Sequence, residues 1–121
     1  MPQRTLVACI DDDQGVCEAI EELLRVCGFT ALGFSSAEEF LQSERLKEVQ
    51  CLVTDVQLSG MSGLQLLERL ADMGASIPAI VITAFPEEQI RERALKAGAL
   101  CFLSKPVTKD SLLKCIRSAL K

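Results

Sequence analysis

Four short apolar segments of this sequence each lead directly into side chains that could take part in chemistry. In chain order, these side chains are Asp11-Asp12-Asp13, Asp55, Thr83 and Lys105. If the four segments are parallel strands, their carboxyl ends lie along one edge of a sheet, the edge at which open α/β folds bind ligands. Carboxylates, a hydroxyl and an ammonium group would then face one another, although they are far apart in the sequence.

Such a group of side chains suits a divalent cation and a phosphoryl group. Two ionised carboxylates about 4 Å apart repel each other by roughly 4 kcal/mol at an effective dielectric constant near 20, so they need a cation. A few oxygen ligands favour Mg²⁺, which takes one or two carboxylates together with water and phosphate oxygens. Lys105 can neutralise a phosphoryl oxygen, Thr83 can donate a hydrogen bond to one, and an aspartate can itself attack phosphorus.

The bulk composition is that of one small α/β domain. The chain has 121 residues, 49% apolar and 25% charged, so we expect residues 1–121 to form a single domain. Acidic residues outnumber basic ones by 17 to 13 without any block of lysine or arginine, which argues against direct nucleic-acid binding. Every apolar run is shorter than a membrane span, and residues 1–4 lack the layout of a secretory signal. We therefore expect a cytoplasmic protein that does not contact the membrane.

The six cysteines and the absence of histidine narrow the chemistry further. The cysteines form no Cys-x-x-Cys pair, and no histidine can complete a zinc site or activate a serine or cysteine nucleophile. Each cysteine lies among apolar residues of a predicted strand or helix, where a free thiol packs as a small apolar side chain. We therefore predict free, structural cysteines.

Five predicted strands alternate with five predicted helices. The helices are predicted to run from about Gln14 to Cys27, Ser36 to about Glu44, Ser62 to about Met73, Pro86 to Lys96, and from Thr108 onward. Ser36 with Glu39, and Ser62 with Gln65, have the spacing of capping boxes, and Pro86 is assigned to a first helical position. The buried face of the last helix is predicted to comprise Leu112, Leu113, Ile116 and Leu120.

The alternation of strands and helices implies βαβ units with parallel pairing and right-handed crossovers. We therefore predict a doubly wound α/β fold, a flavodoxin-like (βα)5 arrangement whose five-stranded parallel sheet has the order 2-1-3-4-5. In that order, Asp55 lies between the aspartates that follow the first strand and Thr83 on the fourth, with Lys105 beyond Thr83. The scattered polar residues thus become one pocket.

Several short motifs of this sequence occur together in one known family. They are Ile10-Asp11-Asp12, Thr54-Asp55 with Gly60-Met61-Ser62-Gly63-Leu64, Val81-Ile82-Thr83-Ala84, Lys96-Ala97-Gly98-Ala99 and Lys105-Pro106. Over nearly its full length, the chain resembles the CheY-like receiver domain of two-component response regulators. The segments 37–41 and 94–106 are most similar to the FixJ branch, whose members often carry a carboxyl-terminal DNA-binding domain.

This resemblance implies a phosphorylation-dependent signalling switch in a two-component phosphorelay. Asp55 would be the phosphoacceptor. Asp11 and Asp12 would be the acidic pair that holds Mg²⁺ together with Asp55 and the backbone carbonyl of Gln57, with Asp12 favoured over Asp11 as a direct ligand. The domain would not be an enzyme in the usual sense, because it would catalyse only its own phosphorylation and slow dephosphorylation.

The resemblance also implies how the phosphoryl group is sensed. Thr83 and Lys105 would hold its oxygens, and Phe102 on the fifth strand would follow an inward movement of Thr83. Phe102 departs from the family, in which tyrosine is frequent at this position, so packing without a hydroxyl would have to couple it to Thr83. A second departure is Leu58-Ser59 in place of the usual Met-Pro, which is expected to loosen the loop after the third strand. The peptide bond between Lys105 and the following proline is expected to be cis.

Partners follow from the same resemblance. Because the chain has no histidine, a phosphohistidine donor must come from a cognate histidine kinase or phosphotransfer protein, or from outside this segment. The face formed by the fourth helix, the fifth strand and the fifth helix is expected to bind a partner or to form a phosphorylation-dependent homodimer. A DNA-binding output domain would lie outside this segment.

Three other interpretations stay open at this point. A Mg²⁺-dependent phosphohydrolase of the haloacid-dehalogenase type needs a second acid two residues after its strand-end aspartate; Asp11 and Asp13 have this spacing, but Gln57 follows Asp55. Asp13 is favoured instead as the N-cap of the first helix. A flavodoxin-like binder would place phosphate where three aspartates repel it. A receiver could also bind its partner without being phosphorylated.

Overall fold

The computed structural model describes residues 5–120, so the expectation about a secretory signal, which concerns residues 1–4, lies outside the described residues. The strands are β1 Leu6–Ile10, β2 Thr30–Phe34, β3 Cys51–Asp55, β4 Ala79–Thr83 and β5 Ala99–Ser104. The helices are α1 Gln14–Val26, α2 Ala37–Leu41, α3 Gly63–Asp72, α4 Glu88–Lys96 and α5 Lys109–Ala119. The predicted alternation of five strands and five helices is confirmed, with an added 3-10 turn at Leu46–Glu48 before β3.

The strands form one parallel sheet in the predicted order β2-β1-β3-β4-β5. Every residue of β1, β3 and β4 is buried, which explains their nearly continuous apolar sequences, because helices cover both faces of a parallel sheet. Thr54 pairs with Ile10, and Thr83 pairs with Ser104. This register aligns the carboxyl ends of β1, β3, β4 and β5 along one edge.

Two apolar layers cover the sheet, one on each face. Leu24 of α1 and Ile116 of α5 are fully buried in one layer. Phe40 of α2, Leu66 of α3 and Ala94 of α4 are fully buried in the other layer. A fully buried leucine or phenylalanine stabilises the fold by about 1.5–3 kcal/mol, whereas alanine contributes much less. Ala94 is the only buried side chain of α4, so this helix is held more weakly than α1, α3 and α5.

Polar side chains cap three helices at the positions that the sequence predicts. Asp13 Oδ1 accepts a hydrogen bond from the backbone N–H three residues later, which confirms Asp13 as the N-cap of α1. The capping box that begins at Ser62 is complete. At α2, Ser36 Oγ accepts from Glu39 N, but Glu39 Oε1 accepts from Ser35 N at 2.9 Å rather than from Ser36 N. The predicted capping box at Ser36 is therefore only half formed, because the Glu39 side chain accepts from the preceding amide instead.

Two predicted helix boundaries are wrong. α2 ends at Leu41 rather than near Glu44, because the amide of Ser43 donates to the carbonyl three residues earlier and the chain tightens out of the helix. α4 begins at Glu88 and not at Pro86. The amide of Glu87 donates to the carbonyl two residues earlier at 2.8 Å, which closes a tight turn around Pro86 before the helix begins.

The buried face of α5 also differs from the prediction. Leu112 and Ile116 are buried and Leu113 is half-buried, but Leu120 is 39% exposed. Leu120 lies one residue beyond the end of the helix, where no other element covers it. Cys115 occupies the buried position instead.

All six cysteines are free thiols, as predicted, and all but Cys27 belong to or pack against one apolar layer. Cys27 is the half-buried C-cap of α1. Cys9, Cys17, Cys51 and Cys115 are buried. Burial raises the pKa of Cys51 to about 12, so its thiol stays protonated and packs as an apolar group. Between residues 5 and 120, no helix is both long enough and apolar enough to cross a membrane.

Candidate functional site

The aligned strand ends bring the predicted site residues to one edge of the sheet. Asp11 and Asp12 directly follow β1, Asp55 ends β3, Thr83 ends β4, and Lys105 directly follows β5. The amide of Lys105 donates to the carbonyl of Thr83 at 2.8 Å, so the pairing of β4 with β5 continues to the site itself. The peptide bond after Lys105 is cis, as the sequence resemblance implies.

The side chain of Lys105 lies between two carboxylates. Its Nζ donates to Asp11 Oδ2 at 2.9 Å and to Asp55 Oδ2 at 2.7 Å. The side chains of Asp11 and Asp55 are 0% and 9% exposed, and that of Lys105 is 19% exposed. A charge in this position is needed because two buried carboxylates would otherwise repel each other.

The pKa values of Asp11 and Lys105 show the effects of burial and pairing. Burial raises the pKa of Asp11, although hydrogen bonds from Asp13 N and from Lys105 oppose the shift. Burial would lower the pKa of Lys105, but its hydrogen bonds to Asp55 and Asp11 outweigh that effect, so the pKa of Lys105 is raised. Lys105 is therefore a permanent positive charge at neutral pH.

Asp12 is exposed and has a different partner from Asp11. Its Oδ2 accepts hydrogen bonds from the backbone N of Ser59 at 3.0 Å and from Ser59 Oγ at 3.1 Å. Two more carboxylates hold the same loop, because Asp55 Oδ1 accepts from Gln57 N at 3.2 Å and Glu38 Oε2 accepts from Met61 N at 3.0 Å. The loop between β3 and α3 is thus bound to carboxylates at three points.

Gly63 allows the start of α3 to pass against the backbone of Asp55. A Cβ atom at position 63 would overlap the carbonyl of Asp55, and the amide of Gly63 donates to Val56 O at 2.9 Å. A backbone carbonyl cannot move aside as the end of a flexible side chain can. A side chain at position 63 would therefore displace Asp55 or α3.

Three carboxylates meet closely enough to hold a cation. Asp11, Asp12 and Asp55 each offer a carboxylate oxygen, and these oxygens lie within 4.8 Å of one another. The donor atoms are all hard oxygens and few in number, which fits Mg²⁺ better than a transition metal that prefers nitrogen or sulfur.

Thr83 and Phe102 lie beside the carboxylates rather than among them. Thr83 is 1% exposed, and its Oγ1 accepts a hydrogen bond from Phe85 N at 3.0 Å. Phe102 is half-buried and pairs with Val81, two residues before Thr83 on the neighbouring strand. Side chains two residues apart on a strand share a face, so Phe102 packs on the face to which Thr83 belongs.

A cleft of about 410 Å³ opens beside Asp11 and Asp12, between α1 and β2. Its charged lining residues are all acidic, namely Asp11, Asp12, Glu18, Glu21 and Glu39. Such a cleft repels phosphate, which argues against the flavodoxin-like binder.

The sequence profile of the family described as "Response regulator receiver domain" matches residues 7–117. The chain belongs to this family. It is therefore a receiver domain of two-component response regulators, as the sequence resemblance implies, and not a haloacid-dehalogenase-type hydrolase.

Two curated relatives of this receiver domain are similar over almost its entire length. Response regulator protein TmoT of Ectopseudomonas mendocina is 39% identical over 119 residues, which are 98% of this chain and 54% of TmoT. Transcriptional regulatory protein FixJ of Azorhizobium caulinodans is 36% identical over 120 residues, which are 99% of this chain and 57% of FixJ. The receiver domain therefore spans about half the length of these relatives.

The solved structure titled "Crystal structure of FixJ-N" has the same fold. It superposes with a TM-score of 0.87 at 34% identity, covering 98% of this receiver domain and 95% of that chain. Sequence and structure thus both confirm the predicted similarity to the FixJ branch.

Three residues of the receiver site were not predicted from the sequence. Ser59 of the loop after β3 binds Asp12, Glu38 accepts a hydrogen bond from the same loop, and the backbone at Gly63 passes against Asp55. The presence of Ser59 in place of proline is visible in the sequence, but its bond to Asp12 spans 47 residues and follows no spacing rule. Gly63 stands in a motif that the resemblance uses, although that motif gives no reason why glycine is required.

Proposed function

We propose that this receiver domain is a phosphorylation-dependent switch whose acceptor is Asp55. The observation that carries this proposal is the position of Lys105 Nζ, 2.7 Å from Asp55 Oδ2 and 2.9 Å from Asp11 Oδ2. A carboxylate oxygen of Asp55 would form a bond to phosphorus while the P–N bond of a phosphohistidine donor breaks. The donor imidazole would leave and take up a proton, and the phosphoryl group would remain on Asp55.

The acidic residues around Asp55 would hold Mg²⁺. Its ligands would be Asp11, Asp12, Asp55 and the backbone carbonyl of Gln57, with Asp12 favoured over Asp11 as a direct ligand. When bound, Mg²⁺ would neutralise negative charge on the carboxylates and on the transferring phosphoryl oxygens. The support for this assignment is that Asp11, Asp12 and Asp55 each offer a carboxylate oxygen and that these three oxygens lie within 4.8 Å of one another.

Lys105 and Thr83 would hold the oxygens of the transferred phosphoryl group. Lys105 already contacts the acceptor carboxylate, so it can form an ion pair with a phosphoryl oxygen attached there. The oxygen of Thr83 accepts from Phe85 N, which leaves the Thr83 hydroxyl proton without an acceptor among residues 5–120. That proton is free to be donated to a phosphoryl oxygen.

Movement of Thr83 and Phe102 would carry the signal to the face formed by α4, β5 and α5. α4 buries only Ala94 and has no side-chain cap at its N-terminus, so small changes in packing can shift it. On this face, Leu95 and Leu100 are 44% and 46% exposed. This apolar surface would bind a partner or a second phosphorylated copy of the domain.

The wider context of the domain is also a proposal. Residues 1–121 would act as one receiver unit in the cytoplasm, phosphorylated by a cognate histidine kinase or phosphotransfer protein. The relatives are nearly twice as long as this chain, and FixJ is a transcriptional regulatory protein, which supports a carboxyl-terminal DNA-binding output domain. With a net charge of −4, the receiver itself would not bind nucleic acid.

Phosphorylation with a small donor tests this proposal directly. The domain is incubated with acetyl phosphate and Mg²⁺ and its intact mass is measured. We expect one added phosphoryl group on the wild type and on the control Asp72→Asn, which changes an exposed aspartate of α3, but none on Asp55→Asn. EDTA should prevent the modification of the wild type.

Two results would contradict the proposal. A wild type that is never modified would favour a receiver that binds its partner without phosphorylation. An adduct that persists on Asp55→Asn would place the acceptor elsewhere.

A further inference from the structure

Ser59 contacts the exposed member of the acidic group through two hydrogen bonds. Its backbone N and its Oγ both donate to Asp12 Oδ2, at 3.0 Å and 3.1 Å. A proline at position 59 could make neither bond, because it has no backbone N–H and no hydroxyl. This contact therefore depends on having serine rather than proline at position 59.

The two bonds leave one oxygen of Asp12 available. Both donors bind Oδ2, so Oδ1 accepts no hydrogen bond from any residue in the described range. In contrast, both oxygens of Asp11 and of Asp55 accept hydrogen bonds, and each of these carboxylates is also paired with Lys105. Asp12 Oδ1 is thus the least engaged carboxylate oxygen of the acidic group.

We propose that Ser59 is a positioning residue for the cation site, since it holds Asp12 with one oxygen free to bind Mg²⁺. This inference rests on the proposed function, in which Asp12 is a ligand. Without such a partner, an exposed aspartate exchanges among several rotamers. A cation that binds it must then restrict the side chain to one rotamer, and this costs conformational entropy. Partners that orient a ligating carboxylate typically change metal affinity by about 10–100-fold.

Ser59 is itself held in place by its loop. Glu38 Oε2 accepts from Met61 N at 3.0 Å, and Asp55 Oδ1 accepts from Gln57 N at 3.2 Å, on either side of Ser59. These two hydrogen bonds restrain the loop on both sides of Ser59 without any cation. A hydrogen bond from a fixed donor orients its acceptor more strongly than one from a mobile side chain.

Isothermal titration with MgCl₂ measures the effect without any phosphorylation step. Ser59→Ala keeps the backbone donor and loses the hydroxyl, so we expect Mg²⁺ to bind about tenfold more weakly. Ser59→Thr keeps both donors and should bind within about twofold of the wild type. The matched control Ser76→Ala changes an exposed serine in the loop before β4 and should leave the dissociation constant unchanged.

A double-mutant comparison separates positioning from a general effect on the loop. In an Asp12→Asn background, Ser59→Ala should change Mg²⁺ affinity by less than about twofold, because the carboxylate it orients is gone. If Ser59→Ala weakens binding equally with and without Asp12, the effect belongs to the loop and the inference is wrong.

The same titrations distinguish this inference from the proposed function. Wild-type protein that does not bind Mg²⁺, or binding that is insensitive to Asp12→Asn, would contradict the proposed cation site and with it the role of Ser59. Mg²⁺ binding that is weakened by Asp12→Asn but not by Ser59→Ala would overturn the role of Ser59 alone.

Discussion

Replacement of Lys105 by methionine should destabilise the cation-free domain, because it removes the charge between two buried carboxylates. Oxygens of Asp11 and Asp55 lie within 4.8 Å of each other. Two carboxylates at that separation repel by about 3.5 kcal/mol at an effective dielectric constant near 20. Removal of one partner from a buried ion pair typically costs about 3–5 kcal/mol. Because the Lys105 side chain keeps 19% exposure, we expect a loss near the lower limit, about 3 kcal/mol.

The loss should depend on pH in a definite direction. Burial raises the pKa of Asp11 even while Lys105 is present. A carboxyl whose pKa is raised by folding binds protons more tightly in the folded state, so its contribution to stability is largest at low pH and falls as pH rises. Without Lys105, folding should raise the pKa of Asp11 further. The difference in unfolding free energy between wild type and Lys105→Met should therefore become smaller as the pH is lowered from 7 toward 5.

Thermal and urea unfolding in EDTA, followed by circular dichroism, measure this loss. At pH 7 the midpoint of thermal unfolding should fall by roughly 10 °C. Lys96→Met is the matched control, because Lys96 is exposed and forms no ion pair within residues 5–120, and it should change stability by less than about 0.5 kcal/mol. Asp11→Asn added to Lys105→Met should restore at least half of the loss. If Lys105→Met is as stable as Lys96→Met, or if Asp11→Asn gives no recovery, then Lys105 does not offset repulsion between the two carboxylates.

Two further substitutions test how the loop after β3 and the start of α3 are held. The hydrogen bond from Met61 N lowers the pKa of Glu38 from its usual value near 4.5, so the stability it contributes is present above that pH and is lost as the pH falls through the lowered pKa. Glu38→Gln should therefore reduce the difference between the urea midpoints at pH 6 and pH 3.5. Gly63→Ala should destabilise the domain by about 1–3 kcal/mol in urea unfolding at pH 7, because its Cβ would overlap the carbonyl of Asp55.

Matched controls exist for both substitutions. Glu44 is exposed and makes no hydrogen bond within the described residues, so Glu44→Gln should leave the difference between the two urea midpoints unchanged. Gly15 also lies in the first turn of a helix, but a Cβ there would lie 3.4 Å from Asp13 Oδ1, an ordinary contact. Gly15→Ala should stabilise the domain by about 0.5–1 kcal/mol. If Glu38→Gln and Glu44→Gln show the same difference between the urea midpoints at pH 6 and pH 3.5, the hydrogen bond to Glu38 does not stabilise the loop. If Gly63→Ala stabilises the domain as Gly15→Ala does, the backbone of Asp55 leaves room for a Cβ atom at position 63.

The sheet and the location of the site could be predicted from the sequence because both depend on strong, local patterns. β1, β3 and β4 are buried on both faces and are therefore apolar throughout, and the polar residues at their ends mark where burial stops. Once the strand order is known, parallel pairing alone brings Asp11, Asp55 and Lys105 to one edge.

Helix boundaries and loop contacts were harder to predict, because they depend on competing interactions. Pro86 fits both the first turn of a helix and a tight turn, and the hydrogen bond of Glu87 N to the carbonyl before Pro86 decides for the turn. Leu120 continues the apolar spacing of α5, but it lies past the last helical residue and is exposed. The bonds of Ser59 to Asp12 depend on how the loop after β3 folds back toward β1, which no local pattern encodes.

The ion pairs of Lys105 join residues that lie far apart in the sequence. Lys105 is 94 residues from Asp11 and 50 residues from Asp55 in the sequence, and it follows β5, an edge strand of the sheet. Contacts over such separations carry a larger loop-closure entropy cost than local contacts do. A folding chain, or one whose β5 has detached, therefore carries acidic residues without their counter-charge. Under the proposed function, a molecule in which β5 has not joined the sheet would lack the positive charge beside the Asp55 carboxylate.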